Sequence, residues 1–224
     1  MNKKLFRTTL VVPFLVALGC ASPPETTPDG LVLVKDSKFQ QVYAKPGTTL
    51  DGFSSYRLET CDVSFRRNWL RDQNNNRLDL SNKVTQEDMD RIEASLEAEC
   101  DKAFAAALSE EPAYPIADAD TNAAEVLVLA PSIINLNVNA PDTRSAGMQR
   151  TYTTSAGEMT LYLELLDGAT GEVLAKVTDK QDAGDIGRIQ WSNSITNKFE
   201  ADRILNRWGS RLRDGLDRAT GASD

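Results

Sequence analysis

Residues 159–177 read Met159-Thr160-Leu161-Tyr162-Leu163-Glu164-Leu165-Leu166-Asp167-Gly168-Ala169-Thr170-Gly171-Glu172-Val173-Leu174-Ala175-Lys176-Val177. Met159, Leu161, Leu163 and Leu165 alternate with Thr160, Tyr162 and Glu164, so one face of an extended strand meets a core while the other is wet. Asp167 to Glu172 supplies turn residues, and Val173, Ala175 and Val177 begin a returning strand, which makes a long hairpin. Working outward, Glu125 to Leu129 reads as a buried strand, ended or bent by Pro131 and continued by Ile133, Ile134, Leu136 and Val138. Tyr56 to Phe65 reads as one strand whose phase changes near Thr60, the mark of a bulge. Leu31 to Val34, with Phe39, Val42 and Tyr43 behind it, predicts an early strand or arm.

Two segments follow the other period. Thr85-Gln86-Glu87-Asp88 is an N-capping signal, and from it Met89, Ile92, Leu96, Cys100, Ala103 and Ala107 recur at spacings of three and four, a helix to about Leu108. A second helix runs from near Ser194 to about Ala219 with Ile204, Leu205, Trp208, Leu212 and Leu216 on one side. The stretch Arg71 to Arg77 reads as a polar loop. The expected fold class is α+β, a mixed, mostly antiparallel sheet with two main helices packed on it. Without internal repeats or a composition break, residues 31–219 form a single domain, and 220–224 a disordered tail.

The leader says where such a domain works. Lys3, Lys4 and Arg7 precede an apolar run from Leu10 to Leu18 that is about half the ~20 residues a membrane-spanning helix needs. Residues 1–19 therefore read as a signal peptide, not a permanent span. It ends in Ala17-Leu18-Gly19-Cys20, which resembles the lipobox of bacterial lipoproteins. That resemblance implies acylation of Cys20 and a mature chain beginning there. Ala21 stands where aspartate would imply inner-membrane retention, so the resemblance points to the Gram-negative outer membrane, with the domain facing the periplasm. Ala21 to Gly30 holds three prolines and no large apolar residue, so 20–30 reads as the lipidated cysteine and a flexible tether.

Composition closes several routes. The chain of 224 residues is 41% hydrophobic, enough for a packed core, and carries 25 Lys and Arg against 33 Asp and Glu. Without the leader's three bases the balance is 22 against 33, which argues against a nucleic-acid partner. Histidine is absent, which removes the commonest general base and metal ligand. No nucleophile elbow and no Ser-x-x-Lys pair is present. Asp72, Asn74 and Asn76 begin a calcium-loop pattern, but Arg77 and Lys83 replace its glycine and closing glutamate. Asp118, Asp120 and Asn122 fail alike, with Ala123 and Leu129 at those places. No metal or cofactor is expected.

Glu158, Glu164, Asp167 and Glu172 could serve a carboxylate-dependent enzyme only if a cleft faced them across one another. Arg66, Arg67, Trp69 and Arg71 form the densest basic and aromatic cluster, a candidate contact for a partner or lipid headgroup, or a loop that satisfies Asp62 and Asp72. Arg203, Arg207 and Arg211, with Glu200 and Asp214, read as a solvent-exposed, salt-bridged face of the last helix. Cys61 and Cys100 each share a core-facing pattern. In a compartment where disulfides form, they either bridge across a loop of about 40 residues or remain separate buried thiols.

Four motifs carry a wider resemblance: Tyr43-Ala44-Lys45-Pro46-Gly47; Phe53 to Phe65 leading into Arg66-Arg67-Asn68-Trp69; Leu166 to Ala175; and Trp191-Ser192-Asn193-Ser194-Ile195-Thr196-Asn197. In this order after a lipobox, they resemble the bacterial lipoproteins gathered as domain of unknown function 3313. The resemblance implies place and fold more than activity. The expected function is a non-catalytic accessory or binding module of the envelope, partnered by the membrane through its anchor and by an envelope protein. The alternatives are a carboxylate-dependent periplasmic enzyme and a carrier of a lipid or other apolar ligand. No oligomeric state follows from the sequence.

Overall fold

The computed structural model describes residues 23–75, 83–118, 120–138, 152–153, 157–182, 190–191 and 194–221. The hairpin is at its centre. Strands β7 (Gly157–Asp167) and β8 (Val173–Asp182) pair antiparallel, Leu163 opposite Val177. The remaining strands are β1 (Val32–Leu33), β2 (Gln41–Ala44), β3 (Ser55–Leu58), β4 (Asp62–Phe65), β5 (Val126–Val138), and a separate pair, β6 (Tyr152–Thr153) and β9 (Gln190–Trp191). The seven-stranded sheet runs β1-β2-β8-β7-β5-β3, with β4 also pairing with β5. It is mixed, because β3 and β4 lie parallel to β5 and the other pairs are antiparallel.

Pro131 does not end β5, which continues through it to Val138. Instead the neighbouring edge breaks. Leu58 pairs with Leu129 and Asp62 with Ser132, so the gap between β3 and β4 falls opposite Ala130 and Pro131. A proline offers no N–H to an adjacent strand, and the expected single strand at 56–65 is therefore two.

The helices are α1 (Trp69–Asn74), α2 (Gln86–Ser109) and α3 (Ser194–Ala219). Residues 71–74, expected as loop, belong to α1. The Thr85 hydroxyl accepts the Asp88 N–H while the Asp88 carboxylate accepts that of Thr85, a complete capping box at the start of α2. α2 and α3 pack on each other and on one face of the sheet, where Phe104, Leu127, Leu161, Leu163, Leu205 and Trp208 are fully buried. A side chain at Gly209 would meet the Ala103 carbonyl at 3.0 Å and the Ala107 methyl at 3.1 Å, so glycine allows this close helix crossing.

The N-terminal segment is held more firmly than a tether. Thr26 bridges antiparallel to Val32, the N–H groups of Thr27 and Leu33 donate to the Leu31 and Glu25 carbonyls, and Lys176 pairs with Asp29 at 2.6 Å. The Tyr43 hydroxyl donates to the Pro24 carbonyl. Residues 24–30 are thus a docked hairpin arm, because their polar groups find backbone partners on the sheet edge. At the other end, the Thr220 N–H still closes a turn onto the Leu216 carbonyl. Residues 222–224, the rest of the expected tail, are outside the described residues.

Candidate functional site

The last turns of α3 leave a space where they cross the sheet. An apolar groove of about 340 Å³ lies between Leu212, Gly215 and Leu216 of α3, Leu174 and Val177 of β8, and the segment from Val34 to Val42. Aliphatic residues of β8 and α3 line it together with Phe39 and the charged Lys35, Asp36 and Arg218, and α3 presents positions 212, 215, 216 and 219 to it along one face. A Cβ at Gly215 would meet no atom within 4 Å, so the helix leaves part of the space open there. Segment 35–38 is fastened across the end of the helix by the ion pair of Lys38 with Asp214 and by Arg218 reaching the Asp36 carbonyl. Val32 and Val34, 41% and 42% exposed, form an apolar edge next to it.

One turn back, the same helix meets the sheet through a buried carboxylate that sequence reasoning missed. Asp179 is 1% exposed and accepts the indole N–H of Trp208 at 2.7 Å, the Arg211 guanidinium at 2.9 Å, the Gln40 backbone N–H at 2.8 Å and the Gln181 amide at 2.8 Å. The expected exposed arginine face is corrected by this geometry. Arg211 turns onto Asp179 and Arg207 onto Gln181, Asp214 pairs with Lys38, and only Arg203 keeps its helix partner Glu200. A second guanidinium, Arg213, is buried over the Tyr114 ring at 4.6 Å and bonds Asp217 and the carbonyls of Ala107, Glu110 and Pro112. Burial, together with its hydrogen bond to Asp217, raises the Tyr114 hydroxyl's pKa well above the tyrosine range. Only the spacing of Arg213 from Asp217 hinted at this cluster.

The basic cluster divides. Trp69 is 1% exposed, stacks on Phe65 with ring centroids 4.1 Å apart, and donates its indole N–H to the Val138 carbonyl, so it offers no surface to a headgroup. Arg66 and Arg71 both bond Asp72, and hydrogen bonds from Arg66 and then Arg71 hold that carboxyl below its ordinary pKa. Arg67 is exposed. Cys61 and Cys100 are bonded, with a Cα separation of 6.1 Å, and join the start of β4 to α2. Cys20 lies outside the described residues.

The four carboxylates near the hairpin do not converge. Glu158 pairs with Lys180 at 2.6 Å, Glu172 with Lys45 at 2.6 Å, Glu164 accepts the Tyr162 hydroxyl, and Asp167 caps the turn through the N–H groups of Ala169 and Thr170. Hydrogen bonding lowers the pKa of Glu158, chiefly through Lys180, and of Asp167, chiefly through the Thr170 N–H. Among the described residues no group of three or more acidic or cysteine side chains is placed to hold a metal ion.

Fold and groove together define a class, a two-helix α+β domain with an apolar recess at its N-terminal edge. Residues 29–212 match the family described as "Protein of unknown function (DUF3313)", and the chain belongs to it. No curated protein matches the chain. Solved structures with partial likeness include a PelC dodecamer from Paraburkholderia phytofirmans, 14% identical over 77% of this chain and 96% of that one, TM-score 0.33. A protein from Caulobacter crescentus described as a candidate lipoprotein is 11% identical over 78% of this chain and 96% of its own, TM-score 0.39. A Xanthomonas campestris protein is 14% identical over 80% and 91%, TM-score 0.40. At such scores none of them carries an argument about this chain.

Proposed function

We propose that the protein is a lipoprotein of the Gram-negative cell envelope, anchored in the outer membrane through an acylated Cys20 and facing the periplasm, and that its domain is a non-catalytic binding module. The observation that carries the reading is the lipobox-like Ala17-Leu18-Gly19-Cys20 after a short apolar leader, followed within a few residues by the docked arm. The carboxylates support the non-catalytic part. Each of the four near the hairpin is held by its own partner, Glu158 by Lys180, Glu172 by Lys45, Glu164 by the Tyr162 hydroxyl and Asp167 by turn N–H groups. Replacing Cys20→Ala is expected to move the exported protein from the outer-membrane fraction to the soluble periplasm. Retention in the membrane at the unsubstituted level would overturn the anchor.

A second reading, that the domain carries a lipid or other apolar ligand, is favoured by the groove, whose 340 Å³ falls at the small end of ligand pockets, roughly 300–1,000 Å³.

A further inference from the structure

We infer that the edge of the sheet formed by the arm and β1 lies against the phospholipid surface that holds the anchor, with Val32 and Val34 in contact with lipid. The inference rests on the proposal that Cys20 is acylated and deepens it by naming the surface that meets the membrane. Its first support is reach. Thr26 bridges to Val32 on the side of β1 away from β2, so the arm is the outermost segment at this edge of the sheet. At the other edge Ile116 bridges to Tyr56 on the side of β3 away from β5. Seven strand spacings separate the two outermost segments, about 34 Å at about 4.8 Å each.

Four residues separate Pro24 from Cys20, at most about 14 Å of extended backbone. The Tyr43 hydroxyl holds the Pro24 carbonyl and Lys176 holds Asp29, so the anchor stays beside the near edge and about 20 Å short of the far one. A tether free from residue 20 to residue 30 would span about 35 Å and could bring either edge to the bilayer. Docking of the arm therefore chooses the edge.

The second support is what the near edge shows to solvent. Val32 and Val34, 41% and 42% exposed, are large apolar side chains on the strand to which the arm pairs. Val32 is opposite Ala44 and Leu33 opposite Tyr43, so the two valines point off the face away from Tyr43 and Lys176. With the arm fastened on one face and the valines on the other, the edge itself is what turns to the bilayer, and the valines can enter its headgroup layer. Ile116, exposed in the same way at the far edge, is the internal comparison.

The test uses the full lipidated chain, purified and reconstituted into vesicles of phosphatidylethanolamine and phosphatidylglycerol that carry a shallow nitroxide-labelled phospholipid. A fluorophore is attached through Val32→Cys or Ile116→Cys, and because Cys61 and Cys100 are bonded to each other the new thiol labels cleanly. Quenching at position 32 is expected to exceed that at 116 by about threefold or more. Tyr43→Phe combined with Lys176→Ala, which removes both side-chain fastenings of the arm, should cut quenching at 32 by about half, with the N-terminal peptide still acylated by mass spectrometry and the domain still melting cooperatively. Quenching that survives this double substitution would overturn the inference, since the contact would not depend on the arm. Equal quenching at the two positions, or a fluorophore at 32 shielded from water yet untouched by the nitroxide, as a second copy would leave it, would also overturn it while an acylated N-terminal peptide kept the anchor intact. An N-terminal peptide without acyl groups would overturn both.

Discussion

Helix α3 meets the sheet in two ways within three turns. At Trp208 and Arg211 the contact is dense and polar at its centre, with the buried Asp179 carboxylate accepting donors from α3, from Gln181 of β8 and from the backbone entering β2. From Leu212 to Ala219 the same face borders the open groove of about 340 Å³. The first contact is closed and polar, the second an apolar groove open to solvent. The dense part, reinforced by the Cys61–Cys100 bond between sheet and α2, fixes where α3 lies. With the crossing held there, the last turns leave a space beside Leu212 and Leu216.

The sharpest way to break this comparison is to weaken the dense side. The disulfide closes a loop with sequence separation 39. Cys100→Ala should therefore lower unfolding free energy in urea by about 4 kcal/mol in the chain-entropy account, with the m-value showing any change in the denatured state. Two titratable thiols per denatured, unreduced chain lacking Cys20 would show that the bridge does not form in the periplasm.

Asp179→Ala should come next, at about 3 kcal/mol, because it strands a guanidinium, an indole N–H and a backbone N–H around one buried cavity. The same substitution should loosen the groove as well if the clamp sets the position of α3, and amide hydrogen exchange across residues 204–219 would report it. Unchanged exchange there would mean that the two halves of the helix are held independently.

On the slack side the expected sign reverses. Gly215→Leu replaces a helix-interior glycine where the structure leaves room, and should raise stability by about 0.7 kcal/mol from helix propensity alone. A loss of 1 kcal/mol or more by urea titration would show that the groove end is packed after all.

The smallest effect concerns the arm. The hydrogen bond from Lys176 pulls the Asp29 pKa from its ordinary 3.8 down to about 2. A depressed carboxylate contributes above its unfolded value and loses that contribution as pH falls through the folded one. The arm should therefore stay docked above pH 4 and loosen between pH 4 and 2, read as faster amide exchange at Leu33. Asp29→Asn should remove this pH step, and a step that persists would assign it to another group.

By itself the sequence determined the fold class, the central hairpin and the two long helices. The alternation through Met159–Leu165 and the turn at 167–172 announce the hairpin, and Thr85 with Asp88 announces α2, because these signals are local and need only neighbours along the chain. The expectation of export likewise rests on local signals, the charge and apolar length of the leader. What only the tertiary structure decided depends on residues far apart in sequence. Trp69 looked like a surface aromatic beside three arginines, yet Val138, 69 residues away, accepts its indole N–H and buries it. Asp179 carried no signal of its own, and Arg211 looked like one of a solvated stripe, until the packing of α3 put them 2.9 Å apart. The tether became an arm because backbone groups at 25–33 found partners on the sheet edge, which proline content could not reveal. The groove was the least legible feature of all, since a void is set by how three elements fail to meet and leaves no pattern in any one of them.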